Sequence, residues 1–215
     1  FYYAISASTT TANSNGSAAT GVSGQPGSYN KIRYCKMYTQ SGGTGPYTAV
    51  GMNGNTANYT TTAQNNTMEG CTISNFYYYG VFMQYPNGNE VLNNDISRSN
   101  TTTGGSATMY GIYANYPYSS ARANAISGNK IHDLPFAGAT TTTTTLSTFY
   151  GIAVNYPTGN ATYPSVVNGN SVKDVAYSTG SRYVYYIYYP VLTDVTNNVV
   201  DNVDGSSTSS VSYDY

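Results

Sequence analysis

Charge is the first thing this sequence is short of. Asp, Glu, Lys and Arg make up only 8% of its 215 residues, against about a quarter in an ordinary globular domain. With 8 basic residues and a formal net charge of −1, it lacks the basic surface that a nucleic-acid binder needs. The good helix formers Glu, Lys, Gln and Leu are scarce, which excludes a helical bundle. No apolar run approaches the roughly 18 residues of a membrane span. Trp is absent, and there is a single His and only 2 Cys. Cys35 and Cys71 are too few for a disulfide framework and too isolated for a metal site. They either pair with each other or sit as small buried hydrophobes.

In place of charge, the chain has roughly a hundred Ser, Thr, Asn and Gly residues and 26 Tyr. Disordered chains are usually charged and poor in aromatics, so this composition argues against disorder. It fits a β protein with polar, uncharged turns.

Internal repetition is the strongest signal. One pattern is a turn followed by a strand: Gly70-Cys71-Thr72-Ile73, Asn93-Asn94-Asp95-Ile96, Gly128-Asn129-Lys130-Ile131, Gly169-Asn170-Ser171-Val172 and Asn197-Asn198-Val199-Val200. Tyr29-Asn30-Lys31-Ile32 reads as a weaker sixth copy. The second pattern is a strand that ends in Tyr-Pro: Tyr79-Gly80-Val81 to Tyr85-Pro86, Tyr110-Gly111-Ile112 to Tyr116-Pro117, and Tyr150-Gly151-Ile152 to Tyr156-Pro157. A degenerate fourth copy runs from Tyr183 to Tyr189-Pro190. The two patterns alternate along the chain.

Apolar residues recur at fixed offsets. Three before the Asn position stand Met68, Val91, Ile126, Val167 and Val195. Two after it stand Ile73, Ile96, Ile131, Val172 and Val200, and five after it Phe76, Ser99, Leu134, Val175 and Val203. The second pattern contributes Val81/Met83, Ile112/Ala114, Ile152/Val154 and Tyr185/Ile187. Apolar residues two apart on short β-branched runs mean half-buried strands. No unit buries a core alone, so the units must stack. Gly or Asn precedes the Asn position, the residue types that tolerate a left-handed bend. Stacked Asn94, Asn129, Asn170 and Asn198 then form an amide ladder from unit to unit, with Cys71 replacing the amide near one end. Between the Asn turn and the next Tyr-Gly the spacing varies, and the extra residues are Thr101-Thr102-Thr103-Gly104-Gly105 and the run Thr140 to Thr145. Insertions confined to one corner read as loops.

With its "N-N-x-I" turns and "Y-G-I" strands, the chain resembles the right-handed parallel β-helix repeats of pectin-lyase-like proteins. More narrowly, it resembles the Thr/Asn/Tyr-rich repeats of large secreted bacterial surface proteins. The resemblance spans about Asn30 to Asp204 and implies an all-β solenoid of five to six coils, each rising about 4.8 Å. Residues 1–29 form a Ser/Thr/Gly-rich segment or irregular first coil, 30–204 the β-helix, and 205–215 a strand-like tail. The chain opens at Phe1 with no Met, basic n-region or apolar h-region. A processed secreted chain and a fragment of a longer one both read this way. Capping elements are not visible, and open strand edges recruit other chains.

Such coils occur in polysaccharide lyases, tailspikes, adhesins and fibres alike, so activity has to be read from a site. Four past the Asn position stand Asn75, Arg98, Asp133, Asp174 and Asn202. Asp133 and Asp174, one coil apart with Arg98 beyond Asp133, are either an acid/base pair or cation ligands, or simply a polar column with one salt bridge. His132, one step before Asp133, is expected on the opposite side of its strand and has no nucleophile motif beside it. No cofactor or metal motif is present. Runs such as Tyr77-Tyr78-Tyr79 and Tyr183 to Tyr189 exceed what a small core holds. Tyr78, Tyr186 and Tyr188 are therefore candidate outward contacts, either packed as cross-strand ladders and protein contacts or stacked on sugar rings.

The expectation is a non-enzymatic extracellular or cell-surface solenoid with a structural or adhesive role. Its partners would be copies of itself, flanking repeats of the same chain or other surface proteins. The rivals are a carbohydrate-active β-helix using Asp133 and Asp174, and a glycan-binding module using the Tyr stripe.

Overall fold

The computed structural model describes residues 3–6, 28–38, 47–53, 65–74, 76–98, 108–134, 148–175, 181–188 and 192–203. Among them the chain is almost entirely β-strand, with no α-helix. A first strand, β1 (Tyr3–Ser6), precedes triplets that recur in the same order. These are β2 (Lys31–Arg33), β3 (Lys36–Tyr38) and β4 (Thr48–Asn53); then β5 (Thr67–Glu69), β6 (Thr72–Ser74) and β7 (Tyr79–Gln84); then β8 (Glu90–Leu92), β9 (Asp95–Ser97) and β10 (Thr108–Asn115). After the short β11 (Tyr118–Ser119) come β12 (Ala125–Ser127), β13 (Lys130–His132) and β14 (Thr148–Asn155). After β15 (Thr158–Gly159) come β16 (Ser165–Asn168), β17 (Ser171–Val175) and β18 (Ser181–Tyr188), and finally β19 (Thr193–Thr196) and β20 (Val199–Val203).

Each member of a triplet joins a different sheet. Sheet I runs β2-β5-β8-β12-β16-β19, sheet II β3-β6-β9-β13-β17-β20, and sheet III β1-β4-β7-β10-β14-β18. All neighbours are parallel, and β11 and β15 form a small fourth pair. Register places like on like. In sheet I, Ile32, Met68, Val91, Ile126, Val167 and Val195 stand opposite one another in turn. In sheet II the column is Met37, Ile73, Ile96, Ile131, Val172 and Val200. In sheet III it is Ile5, Val50, Val81, Ile112, Ile152 and Tyr185. One slip of a residue would turn every column outward, so burial itself fixes the register.

These columns meet in one hydrophobic cluster that draws on all three sheets. Phe76, Ile73, Ile96, Ile112, Ile131, Leu134 and Ile152 are fully buried. Of the expected core positions whose side chains the structure describes, all are buried or half-buried except one: Val195, in the outermost strand of sheet I, is 45% exposed, while the side chains of Ile187 and Val203 lie outside the described residues. Ser99, the Thr101 to Gly105 and Thr140 to Thr145 insertions and the tail 205–215 lie outside the described residues.

The bends between strands explain the recurring Gly and Asn. Gly70, Asn93, Gly128, Gly169 and Asn197 all take left-handed φ, between 54° and 66°. The Gly of the Tyr-Gly strand has a different reason. A Cβ at Gly111 would stand 2.6 Å from the Gly151 carbonyl oxygen and 3.0 Å from Ile131, and one at Gly80 would stand 2.5 Å from the Gly111 carbonyl oxygen. The backbone comes too close there for any side chain.

One sequence assignment shifts. Tyr29-Asn30-Lys31-Ile32 is not a sixth copy of the first pattern, because Lys31 pairs with Thr67 and Ile32 with Met68. The position equivalent to Gly70-Cys71 is Tyr34-Cys35, since Lys36 pairs with Thr72 and Met37 with Ile73. Tyr34 takes the left-handed bend at φ 54° without being Gly or Asn, which is why composition pointed elsewhere.

Candidate functional site

Three groups of polar and aromatic side chains stand out among the described residues: the amide columns, the aromatic outer face of sheet III, and a small charged cluster on sheet II.

The amide column lies at the corner between sheets I and II. Asn94, Asn129 and Asn170 are buried. The Nδ2 groups of Asn94, Asn129 and Asn170 donate to the Oδ1 atoms of Asn129, Asn170 and Asn198, each at 2.9 Å. Those Oδ1 atoms also accept the preceding Asn backbone N–H at 2.9–3.0 Å. Each Nδ2 additionally reaches back to a carbonyl of the previous unit, as Asn129 does to Val91 at 2.8 Å. One amide thus satisfies backbone groups that the corner would otherwise strand without partners. A second column, which the sequence reading missed, lies at the entry to sheet I. The backbone N–H groups of Asn30, Asn66 and Asn89 donate to the Oδ1 atoms of Asn66, Asn89 and Asn124 at 2.9–3.0 Å. Its signal was present as an Asn two residues before each of Ile32, Met68, Val91 and Ile126.

Sheet III carries the tyrosines. Tyr79, Tyr110 and Tyr150 stack with centroids 5.2 and 4.5 Å apart, the latter pair within 5° of parallel. Tyr113 packs beside Tyr110 at 4.6 Å and over Phe82 at 5.6 Å. A second stack, Tyr85, Tyr116 and Tyr156, has spacings of 5.4 and 5.1 Å, and an amide row of Gln84, Asn115 and Asn155 lies between the two stacks. Tyr78 stacks on Tyr47 at 4.9 Å and meets Tyr79 edge-on at 4.3 Å. Burial, then the neighbouring rings, push the Tyr79 phenol well above its ordinary value. Burial does the same to Tyr185. Tyr186 and Tyr188 continue the register opposite Ala153 and Asn155, but their side chains lie outside the described residues. The ring faces in these stacks are turned toward one another, so the stacks offer few free faces for a sugar to lie on.

The charged cluster corrects two expectations. Backbone hydrogen bonds set Asp133 opposite Asp174 but move Arg98 out of their column to the level of Leu134: the Arg98 N–H donates to Asp133 O just as the Leu134 N–H donates to Asp174 O. The side chains diverge. Asp133 and Asp174 take left-handed φ of 45° and 53°, whereas Arg98 turns inward, is 2% exposed, and donates Nε to the Phe76 carbonyl at 2.9 Å. Arg98 is therefore a core-side brace, not the outer arm of a carboxylate pair. Its burial lowers the guanidinium to about 10, still charged at neutral pH. Asp174 accepts from Asn202 at 2.7 Å.

His132 does not point away from Asp133. Its Nδ1 lies 2.8 Å from Asp133 Oδ2 and its Nε2 3.0 Å from Asp95 Oδ1, because the left-handed turn at Asp133 brings that side chain back. Two carboxylates on one imidazole make a polar clasp across neighbouring strands. No group of three or more His, Cys, Asp or Glu among the described residues is placed to hold a metal ion. A void of about 10 Å³ lined by Met83, Ala114, Ile126 and Val154 has room for a water molecule and nothing larger. No helix among the described residues is long and apolar enough to cross a membrane.

The chain matches no family model, and no significantly similar curated protein or solved structure was found.

Proposed function

We propose that the three sheets are the walls of a right-handed parallel β-helix. On this reading the chain is a non-enzymatic, extracellular structural or adhesive element, either a module of a long surface protein or the subunit of an end-stacked fibre. Strand–crossover–parallel-strand connections are right-handed almost without exception, which sets the hand. The observation that carries the functional reading is that the main side-chain columns continue in register from unit to unit. Asn sits on Asn, aliphatic on aliphatic and Tyr on Tyr, so the conspicuous residues are spent on neighbours of their own kind. An enzyme cleft instead gathers unlike groups around one reacting atom.

The ends support assembly. Val195 and Val199, in the outermost strands β19 and β20, are 45% and 54% exposed, and Tyr29 and Tyr34, beside β2, are 72% and 76% exposed. Of these, Val195 ends a core column, that of sheet I, and an exposed apolar end of that kind fits a further layer of strand. Electron microscopy of the purified protein, with its mass distribution, tests this. Linear assemblies whose repeat is near the roughly 30 Å of six stacked strands support the fibre form. Discrete rods of one chain leave the module form standing, and compact particles whose dimensions do not fit a stacked column contradict both.

One observation favours a second reading, a carbohydrate-active surface: the Asp95–His132–Asp133 clasp, with Asp174 one unit away. A panel of polysaccharides tests it. Turnover or binding lost in Asp133→Asn would establish that reading against the structural one.

A further inference from the structure

The two cysteines occupy the one place where the amide column changes chemistry. Register fixes their relation: Arg33 pairs with Glu69 and Lys36 with Thr72, so Cys35 and Cys71 lie opposite each other at the same corner of neighbouring units. The Thr72 N–H donates to the Cys35 carbonyl at 2.9 Å, which ties the two backbones together at that step. Cys71 stands where an Asn would. Its backbone N–H donates to Asn94 Oδ1 at 2.9 Å, and its Sγ lies 3.6 Å from the Ile32 carbonyl. Ile32 is the register equivalent of Met68, whose carbonyl accepts from Asn94 Nδ2 at 3.3 Å. The thiol thus follows the path of the ladder amide, and Cys35 is next in that column. Its Sγ contacts the Arg33 carbonyl at 3.3 Å.

A ladder built of Asn needs each side chain both to accept and to donate. A thiol does both weakly, so two consecutive cysteines make a poor substitute as thiols. As a disulfide they restore the link between units. Neighbouring strands lie about 4.8 Å apart, within the roughly 4.4–6.8 Å that a disulfide spans between Cα atoms.

We infer that Cys35 and Cys71 form a disulfide that covalently closes the amide column at its first two units. Cys35 is half-buried and Cys71 buried, so oxidation enters at Cys35. With a low-molecular-weight disulfide such as oxidised glutathione as oxidant, the Cys35 thiolate attacks one glutathione sulfur and expels the other glutathione as thiolate. The Cys71 thiolate then attacks Cys35 Sγ, breaks the mixed disulfide and releases the second glutathione thiolate. Two protein thiols lose two protons and two electrons, and the oxidant becomes two thiols. Burial, reinforced by the charge of the neighbouring Cys35, raises the Cys71 thiol above its ordinary value. The closing step therefore quickens as pH rises and the Cys71 thiolate fraction grows.

The test is to incubate the reduced full chain with oxidised glutathione, then denature it and alkylate it. The expected product is a monomer lighter than the reduced chain by two hydrogens, with no alkylated cysteine. In its tryptic map the tripeptide Tyr34–Lys36 is joined to the peptide that contains Cys71. Its melting temperature exceeds that of the reduced chain by several degrees, and Cys35→Ser, in which only the half-buried cysteine is changed, shows no such difference between oxidised and reduced samples. A stable glutathione adduct on Cys35 with Cys71 still alkylatable, a dimer linked through Cys35, or two unreacted thiols would each overturn the assignment.

Discussion

Replacing Asn129 by Ala removes the centre of the amide column while leaving every apolar side chain of the core in place. The side chain makes four hydrogen bonds. Its Nδ2 donates to Val91 O at 2.8 Å and to Asn170 Oδ1 at 2.9 Å, and its Oδ1 accepts from Asn94 N at 3.0 Å and Asn94 Nδ2 at 2.9 Å. Two of the four partners keep another bond, since Asn94 Nδ2 still reaches Met68 O and Asn170 Oδ1 still accepts from the Asn129 N–H. The Asn94 N–H loses its acceptor and the Val91 carbonyl its side-chain donor, in a place where Asn129 is fully buried. A buried polar group left without a partner costs about 1–3 kcal/mol, so with two such groups the variant should lose about 2–6 kcal/mol. Urea unfolding followed by circular dichroism reads this as a lower midpoint with unchanged slope. Asn160→Ala, which loses only the exposed hydrogen bond that its Oδ1 accepts from the Thr162 N–H at 2.9 Å, is the control and should cost no more than about 1 kcal/mol. If Asn129→Ala moves no further than that control, the column is not what holds the corner.

Gly111→Ala should cost about 1–3 kcal/mol or prevent folding, because its Cβ collides with the Gly151 carbonyl and with Ile131; thermal melts check it. Gly169→Ala meets no neighbouring atom within 4 Å and should lose only the cost of its left-handed φ, about 1 kcal/mol. Ile131→Ala, fully buried in the sheet II column, should lose roughly 2–5 kcal/mol through the cavity it leaves; an unchanged urea midpoint would remove Ile131 from the core. The raised phenols of Tyr79 and Tyr185 predict alkaline unfolding. Below about pH 10, the ordinary phenol value, both states hold the proton and these groups add no pH dependence. Above it the unfolded chain releases protons that the folded chain keeps, so stability falls as pH rises. Tyr79→Phe should lessen that slope, read as the pH at which circular dichroism and tyrosinate absorbance change together.

Much of the β-sheet core was legible in the sequence, since a β-branched residue every second place in short runs has one geometric solution, and the residues two after each Asn turn are the buried sheet II column. The left-handed bends were legible for the same local reason. What escaped the reading involves residues whose local type misleads. Tyr34 takes a bend usually given to Gly or Asn, so the first unit was placed at Tyr29 instead. The second amide column was hidden because the residues before its Asn differ: Tyr29, Asn65, Gly88 and Ala123. His132 and Asp133 were assigned to opposite faces by the alternation rule, which fails where Asp133 turns left-handed. Arg98 was counted into the column of Asp133 and Asp174, but without a left-handed residue before it at that corner it stands opposite Leu134 and faces inward, a one-residue shift that spacing alone does not carry.

The central claim is that like residues stack in register through successive units of three parallel strands. An experimental density map of the chain tests it most directly. The account predicts Asn94, Asn129, Asn170 and Asn198 in one column at steps of about 4.8 Å, with Tyr110 lying on Tyr150 on the outer face. A map that sets these asparagines on separate faces, or pairs their strands antiparallel, would contradict it.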